Sequence, residues 1–153
     1  MRKISVKGVV IGGIVDIGAT FLAVFPLSVV FAVSANISSV PKAQQGKALA
    51  AAMHDSPAFF LSGIIIGSLC SILGGYIAAR IAKREALLNG ALSSWLCVAL
   101  GIYSMLPGKV DSMTPVQHAL YLIASPMLGA LGGALWQRYA AKANDERASP
   151  LPA

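Results

Sequence analysis

A chain of 153 residues is long enough for one domain. Its 12% charged residues, 56% apolar residues and mean hydropathy of +0.72 do not fit a domain in water, where about 25% charged residues is usual. The formal charge of +6 does not indicate nucleic acid, because the basic residues flank apolar runs instead of covering one solvated face.

Four apolar runs cover residues 8–37, 59–79, 90–108 and 116–137, and Asp16 is the only Asp, Glu, Lys or Arg within them. About 20 apolar residues cross a bilayer as a helix. The expected fold class is therefore all-α, an integral membrane four-helix bundle. Its helices are predicted over about 8–35, 59–82, 89–106 and 115–140, in a single transmembrane domain over 1–143. The lipid bilayer is the first partner implied.

The first run follows Arg2, Lys3 and Lys7, as a signal peptide would, and Val33-Ser34-Ala35 resembles a cleavage site. Its apolar stretch is much longer than the roughly 7–15 residues of a signal core, and it contains an acid. It reads as a retained first helix, longer than a bilayer needs, with Pro26 as a place to bend. The following loop holds Lys47-Ala48-Leu49-Ala50-Ala51-Ala52-Met53, rich in strong helix formers. A short helix is expected there. The turn from Lys83 to Asn89 is tight, so the second and third helices should be antiparallel neighbours. Pro107-Gly108 should end the third helix. Residues 144–153 are polar and proline-bearing, and read as a disordered tail.

Orientation follows from the basic residues. Arg2, Lys3, Lys7, Arg80, Lys83, Arg84, Arg138, Lys142 and Arg147 fall on one side of a four-span arrangement, against Lys42, Lys47 and Lys109 on the other. The positive-inside bias then places both termini in the cytoplasm, with the short loop helix outside.

All glycines but Gly46 lie in the apolar runs. Lipid provides no hydrophobic drive between helices, so small residues that let backbones approach take over that role. At 100° per residue each run shows one small or polar face. Gly8, Gly12, Asp16, Ala19 and Ala23 form it in the first. Gly63, Gly67, Cys70, Ser71, Gly74 and Ala78 form it in the second. In the third it is Gly90, Ser94, Cys97, Gly101 and Ser104, and in the fourth His118, Tyr121, Ser125, Gly129 and Gly132. Leu73-Gly74-Gly75 with Arg80, and Leu131-Gly132-Gly133 with Arg138, share one spacing. Either a duplicated hairpin or the ordinary flanking arginine of a descending helix accounts for it.

Asp16 is the main functional candidate, because ionisable groups at membrane depth are costly and usually face protein or water. By helical rise it lies about 12 Å in from Gly8. Tyr76, Ser94 and Trp95 are expected at similar depth, with Arg80 and Arg138 able to reach inward from the interface. Asp16 is then either a carboxylate that couples to a proton or cation, or a packing residue that sets helix register. Trp95 and Trp136 also suit the interfacial aromatic belt, as do Tyr76 and Tyr139. His118 reads as interfacial, and His54-Asp55 as a turn before Pro57. Cys70 and Cys97 lack metal-ligand spacing and read as small buried residues. No catalytic motif, metal cluster or cofactor motif is visible, so no enzyme activity, metal or cofactor is expected.

The segment Gly74-Gly75-Tyr76-Ile77-Ala78-Ala79-Arg80-Ile81-Ala82, with Arg84 and Asn89-Gly90, resembles a stretch in small uncharacterised four-span bacterial membrane proteins. Gly13-Ile14-Val15-Asp16-Ile17-Gly18 is similar to their first helix. The resemblance implies an inner-membrane setting and no established activity. Four spans with one acid in the first also resemble small multidrug transporters, by analogy only. Two functions stay open. One is a non-enzymatic membrane protein acting through helix–helix contacts, as an accessory, assembly or immunity-type factor or a homo-oligomer. The other is a small secondary transporter or channel using Asp16. An enclosed, hydrogen-bonded Asp16 favours the first. A cavity beside it favours the second.

Overall fold

A computed structural model describes residues 4–104 and 115–148. Helix α1 spans Val6–Ser34, α2 Lys42–His54, α3 Pro57–Ala82, α4 Ala86–Ser93, α5 Trp95–Ser104 and α6 Pro115–Ala148, with one 3-10 turn at Ile37–Ser39. No strand occurs among the described residues. Four helical stretches, Val6–Ser34, Pro57–Ala82, Ala86–Tyr103 and Ala119–Arg147, are long and apolar enough to cross a membrane. The expected all-α class and the short helix in the first loop are both present. The expected helix end at Pro107-Gly108, the loop residue Lys109, Arg2, Lys3 and the last five residues of the tail lie outside the described residues. So do the side chains of His54, Ser104 and His118.

Two elements depart from expectation. The third membrane-length stretch is not one continuous helix over 89–106. It starts at Ala86 and breaks at Ser94, between α4 and α5. Ser93 Oγ donates to Gly90 O at 2.7 Å, and Ser94 N–H bonds back to Ala91 O at 3.3 Å in a tight 3-10 pattern. Hydroxyls that bond back to the preceding turn bend helices. The fourth helix continues past 140 to Ala148, so residues 144–148 of the expected disordered tail are helical. Its last turns are Ala-rich and carry Arg147 where the helix dipole favours a cation. The exposed Lys142–Glu146 pair at 3.9 Å adds i,i+4 support, worth only a few tenths of a kcal/mol.

The chain divides into two compact units. Residues 1–17 and 70–153 form the first, and residues 18–69 the second.

In the first unit, packing is set by glycine. Helix α1 lies against α3 so closely that a methyl group added at Gly12 would sit 2.6 Å from Gly74 O, and one at Gly74 would sit 2.8 Å from Asp16 Cβ. Real Cβ atoms do not approach other atoms below about 3 Å. Gly8 faces Ala78 and Ala82, Gly12 faces Gly74 and Ala78, and Asp16 faces Gly74 and Ser71. Positions rise on α1 as they fall on α3, so the two run antiparallel there. Helix α4 crosses α6 in the same manner. A methyl at Gly90 would meet Gly129 O at 2.5 Å, while Gly133 abuts Ala86. Gly75 abuts Gly129, and Gly132 abuts Ile72 and Tyr76. Each Leu-Gly-Gly segment thus lends one glycine, Gly75 or Gly132, to the contact between α3 and α6.

The second unit comprises the rest of α1, the 3-10 turn, α2 and the start of α3. Phe31 and Phe59 are in ring contact, with centroids 5.2 Å apart. Phe21, Leu22, Phe25, Val29, Val30 and Val33 are exposed, as are Leu61, Ile65 and Leu69. Pro26 lies inside α1 without ending it, and Ser28 Oγ donates to Val24 O at 2.8 Å beside it.

Candidate functional site

The first unit buries a set of polar side chains: Asp16, Ser71, Asn89, Ser93 and Ser94. Asp16 is the centre of the set and is only 1% exposed. It lies on the small face of α1, one turn beyond Gly12, and the absence of side chains at Gly12 and Gly74 brings α3 onto it. Ser71 Oγ donates to the carboxylate and is shared between Oδ1 at 3.1 Å and Oδ2 at 3.2 Å. Cys97 Sγ donates to Oδ2 at 3.3 Å. Cys97 is the third residue of α5, so the carboxylate sits over the first turn of that helix. The break at Ser94 creates that helix start, and the N-terminal turn is where a helix presents the positive end of its dipole.

On the far side of Cys97 stands α6. Ser125 Oγ lies against the Cys97 thiol and is a buried hydroxyl without a hydrogen bond of ordinary geometry. Ser94 Oγ donates to the Ser125 carbonyl at 2.9 Å, tying the α4–α5 break to α6. Cys70 and Cys97 are both free thiols.

A second polar anchor is Asn89, fully buried at the start of α4. Its Oδ1 accepts from Ser5 N–H at 2.8 Å, and its Nδ2 donates to Arg84 O at 2.9 Å and Glu85 O at 3.0 Å. Ser5 Oγ in turn accepts from Gly8 N–H at 3.2 Å, capping α1. One side chain thus joins the start of α1 to the α3–α4 turn. That turn is strained: Lys83 and Glu85 have φ of 55° and 43°, a region that costs L residues about 1–2 kcal/mol each. Asn89 holds the Arg84 and Glu85 carbonyls of that turn.

The expected group around Asp16 is only partly assembled. Ser94 is buried in the same unit, but its hydroxyl serves Ser125 O. Tyr76 packs edge-on to Trp136 at 5.6 Å, and Trp136 lies 6.2 Å from Tyr139. Trp95 is 44% exposed. Arg80 and Arg138 are exposed. Of the expected small faces, Asp16, Ser71 and Cys97 are brought together, whereas Tyr76 packs on Trp136. Ser71 stands five positions before Tyr76, a little more than one turn, and that is the antiparallel register at which α3 meets α1. Ser71 and Cys97 belonged to the small faces readable from sequence, so their facing was detectable. Asn89 gave no signal beyond a polar residue after a turn.

The packing glycines divide the same way. Gly8, Gly12, Gly74, Gly129 and Gly132 meet neighbouring backbone. A methyl at Gly101 would meet only the end of the Leu122 side chain, at 3.2 Å. A methyl at Gly63 or Gly67, expected to pack in the bundle or its oligomer, would meet nothing within 4 Å among the described residues. Gly63-Ile64-Ile65-Ile66-Gly67 is a small residue repeated at one-turn spacing in an apolar helix, the pattern by which transmembrane helices pair.

Among the described residues, no three His, Cys, Asp or Glu come together to hold a metal ion. No family model, curated protein or solved structure matches this chain.

Proposed function

We propose that this chain is a non-enzymatic protein of the inner (plasma) membrane that acts by pairing, through α3, with another transmembrane helix. A second copy of the chain is the partner of first choice. The observation that carries this reading is the Gly63–Gly67 face, which no atom of the described residues covers, on a helix of membrane length. In lipid, an exposed small-residue face gains van der Waals contact when another helix packs onto it. Asp16 fits this reading as a packing residue. It is enclosed and hydrogen-bonded, which gives less support to the alternative of an ion-coupled transporter or channel.

Copies carrying donor or acceptor dyes, reconstituted together in vesicles, should show energy transfer that persists as lipid is added. Gly63→Leu with Gly67→Leu should reduce it to the level of random encounter. Wild-type transfer at that level throughout would remove the proposal. Both termini are proposed to be cytoplasmic, on the nine-to-three division of Lys and Arg. A Lys42→Cys variant should then react with an impermeant thiol reagent added outside intact cells. Reaction only after the cytoplasm is opened would reverse the orientation.

A further inference from the structure

Beside the strained α3–α4 turn, a groove of about 320 Å³ opens between that turn, the start of α4 and the face of α6 that carries Trp136. Ligand sites usually measure about 300–1,000 Å³, so the groove is large enough for a small polar group. Its chemistry is mixed. Lys83 and Arg84 line it with two cations, Glu85 with one carboxylate, and Gln137 with an amide, while Leu87 and Trp136 supply apolar wall. We propose that this groove binds the headgroup of an anionic, hydroxyl-bearing phospholipid, with phosphatidylglycerol as the type.

The observations narrow the occupant in steps. The groove lies where α3 ends and α4 begins, so it sits at the end of two membrane-length stretches, the depth at which headgroups lie. Trp136 stands between Tyr76 and Tyr139 in one aromatic group, and such rings prefer headgroup level. A phosphodiester needs donors, and the Arg84 fork can take two of its oxygens while Lys83 adds a point charge. The three charged lining residues sum to one positive charge, which one phosphodiester neutralises. Glu85 and Gln137 then remain as acceptors, and hydroxyl groups of the ligand can donate to them. A choline headgroup offers no hydroxyl, and a bare phosphate monoester leaves Glu85 facing a second negative charge. The turn that presents the cations is pinned by the buried Asn89, so little ordering remains to be done on binding. The inference rests on the membrane reading of the chain and not on its self-association.

The chain's two tryptophans provide the test. A Trp95→Phe variant leaves Trp136 as sole reporter, and a Trp136→Phe variant leaves Trp95. Each is reconstituted, at high dilution in lipid, in phosphatidylcholine vesicles with a minor fraction of brominated phosphatidylglycerol, whose bromines quench nearby indoles. Quenching of Trp136 should report phosphatidylglycerol enriched about fivefold over its mole fraction, the scale of one net surface cation acting on an anionic lipid. Trp95 should report the mole fraction alone. Lys83→Gln and Arg84→Gln should each lower the Trp136 enrichment while leaving its emission wavelength unchanged. No enrichment, or enrichment indifferent to both substitutions, would overturn the site. Equal enrichment of brominated phosphatidylserine or phosphatidic acid would overturn the hydroxyl assignment. Abolition by soluble glycerol 3-phosphate at low concentration would make the ligand a free phosphate ester and overturn the lipid one.

Discussion

Glycine does opposite work in the two units of this chain. In residues 1–17 and 70–153, Gly12, Gly74, Gly75, Gly90, Gly129 and Gly132 lie under the backbone of another helix, where no side chain fits. In residues 18–69, Gly18, Gly63 and Gly67 meet nothing within 4 Å. The buried polar side chains follow the same division. Asp16, Ser71, Asn89, Ser93 and Ser94 all belong to the first unit. Close backbone approach leaves no room for large apolar side chains, so the interior there is built from small residues and hydrogen bonds. Both units present large apolar side chains outward. A glycine face in a membrane sequence therefore has two uses, internal contact and a surface left for something else, and only the neighbours tell which.

The largest break in this comparison should come at Gly75, whose added side chain would collide with the Gly129 backbone. Gly75→Leu should cost about 3 kcal/mol or more of unfolding free energy, the upper range for overpacking, read from reversible denaturation in mixed micelles. A loss below that of an ordinary surface change would mean that α3 and α6 do not meet as described. Next comes Asp16. Asp16→Leu both crowds Gly74 and strips Ser71 and Cys97 of their acceptor, and should cost about 2 kcal/mol. Asp16→Asn keeps an acceptor oxygen and should cost under about 1 kcal/mol, since interhelical hydrogen bonds in membranes average about 0.6 kcal/mol. Equal damage from both would show that charge, not shape and acceptance, is what the site needs.

Smaller effects test the second anchor. Asn89→Ala removes three hydrogen bonds at once, and should cost about 1–2 kcal/mol. Amide exchange should quicken at Ser5 and the first turn of α1, because Ser5 N–H loses its acceptor. Unchanged exchange there would detach the start of α1 from the turn. Lys83→Gly relieves a left-handed residue and should stabilise by about 0.5–1 kcal/mol, after the entropy that glycine loses on folding. Destabilisation instead would mean that the Lys83 side chain contributes more than its backbone strain costs.

Helix existence and facing were legible in the sequence because both follow from the apolar period and from small residues at one-turn spacing. The small faces of α1 and α3 contain Gly12, Asp16, Ser71 and Gly74, the residues that meet. Depth was not legible. It depends on which residues pass each other as two helices run antiparallel, and a slip of about one turn placed Tyr76 where Ser71 stands. The break at Ser94 was hidden for another reason. Ser93 and Ser94 have ordinary helix propensities in an apolar run, and only their bonds to Gly90 O and Ser125 O show that the helix stops and restarts. Asn89 was overlooked because the donor to its Oδ1, Ser5 N–H, is 84 positions away.

In the reading proposed above, one glycine face holds the chain together and the other is left for a partner. Gly129→Leu and Gly67→Leu, reconstituted in the same vesicles, test it directly when folding stability and dye-reported association are measured on both. Gly129→Leu should lose about 3 kcal/mol of folding stability. Gly67→Leu should fold within about 0.5 kcal/mol of wild type and lose association. Equal folding losses for the two variants, or wild-type association by Gly67→Leu, would contradict it.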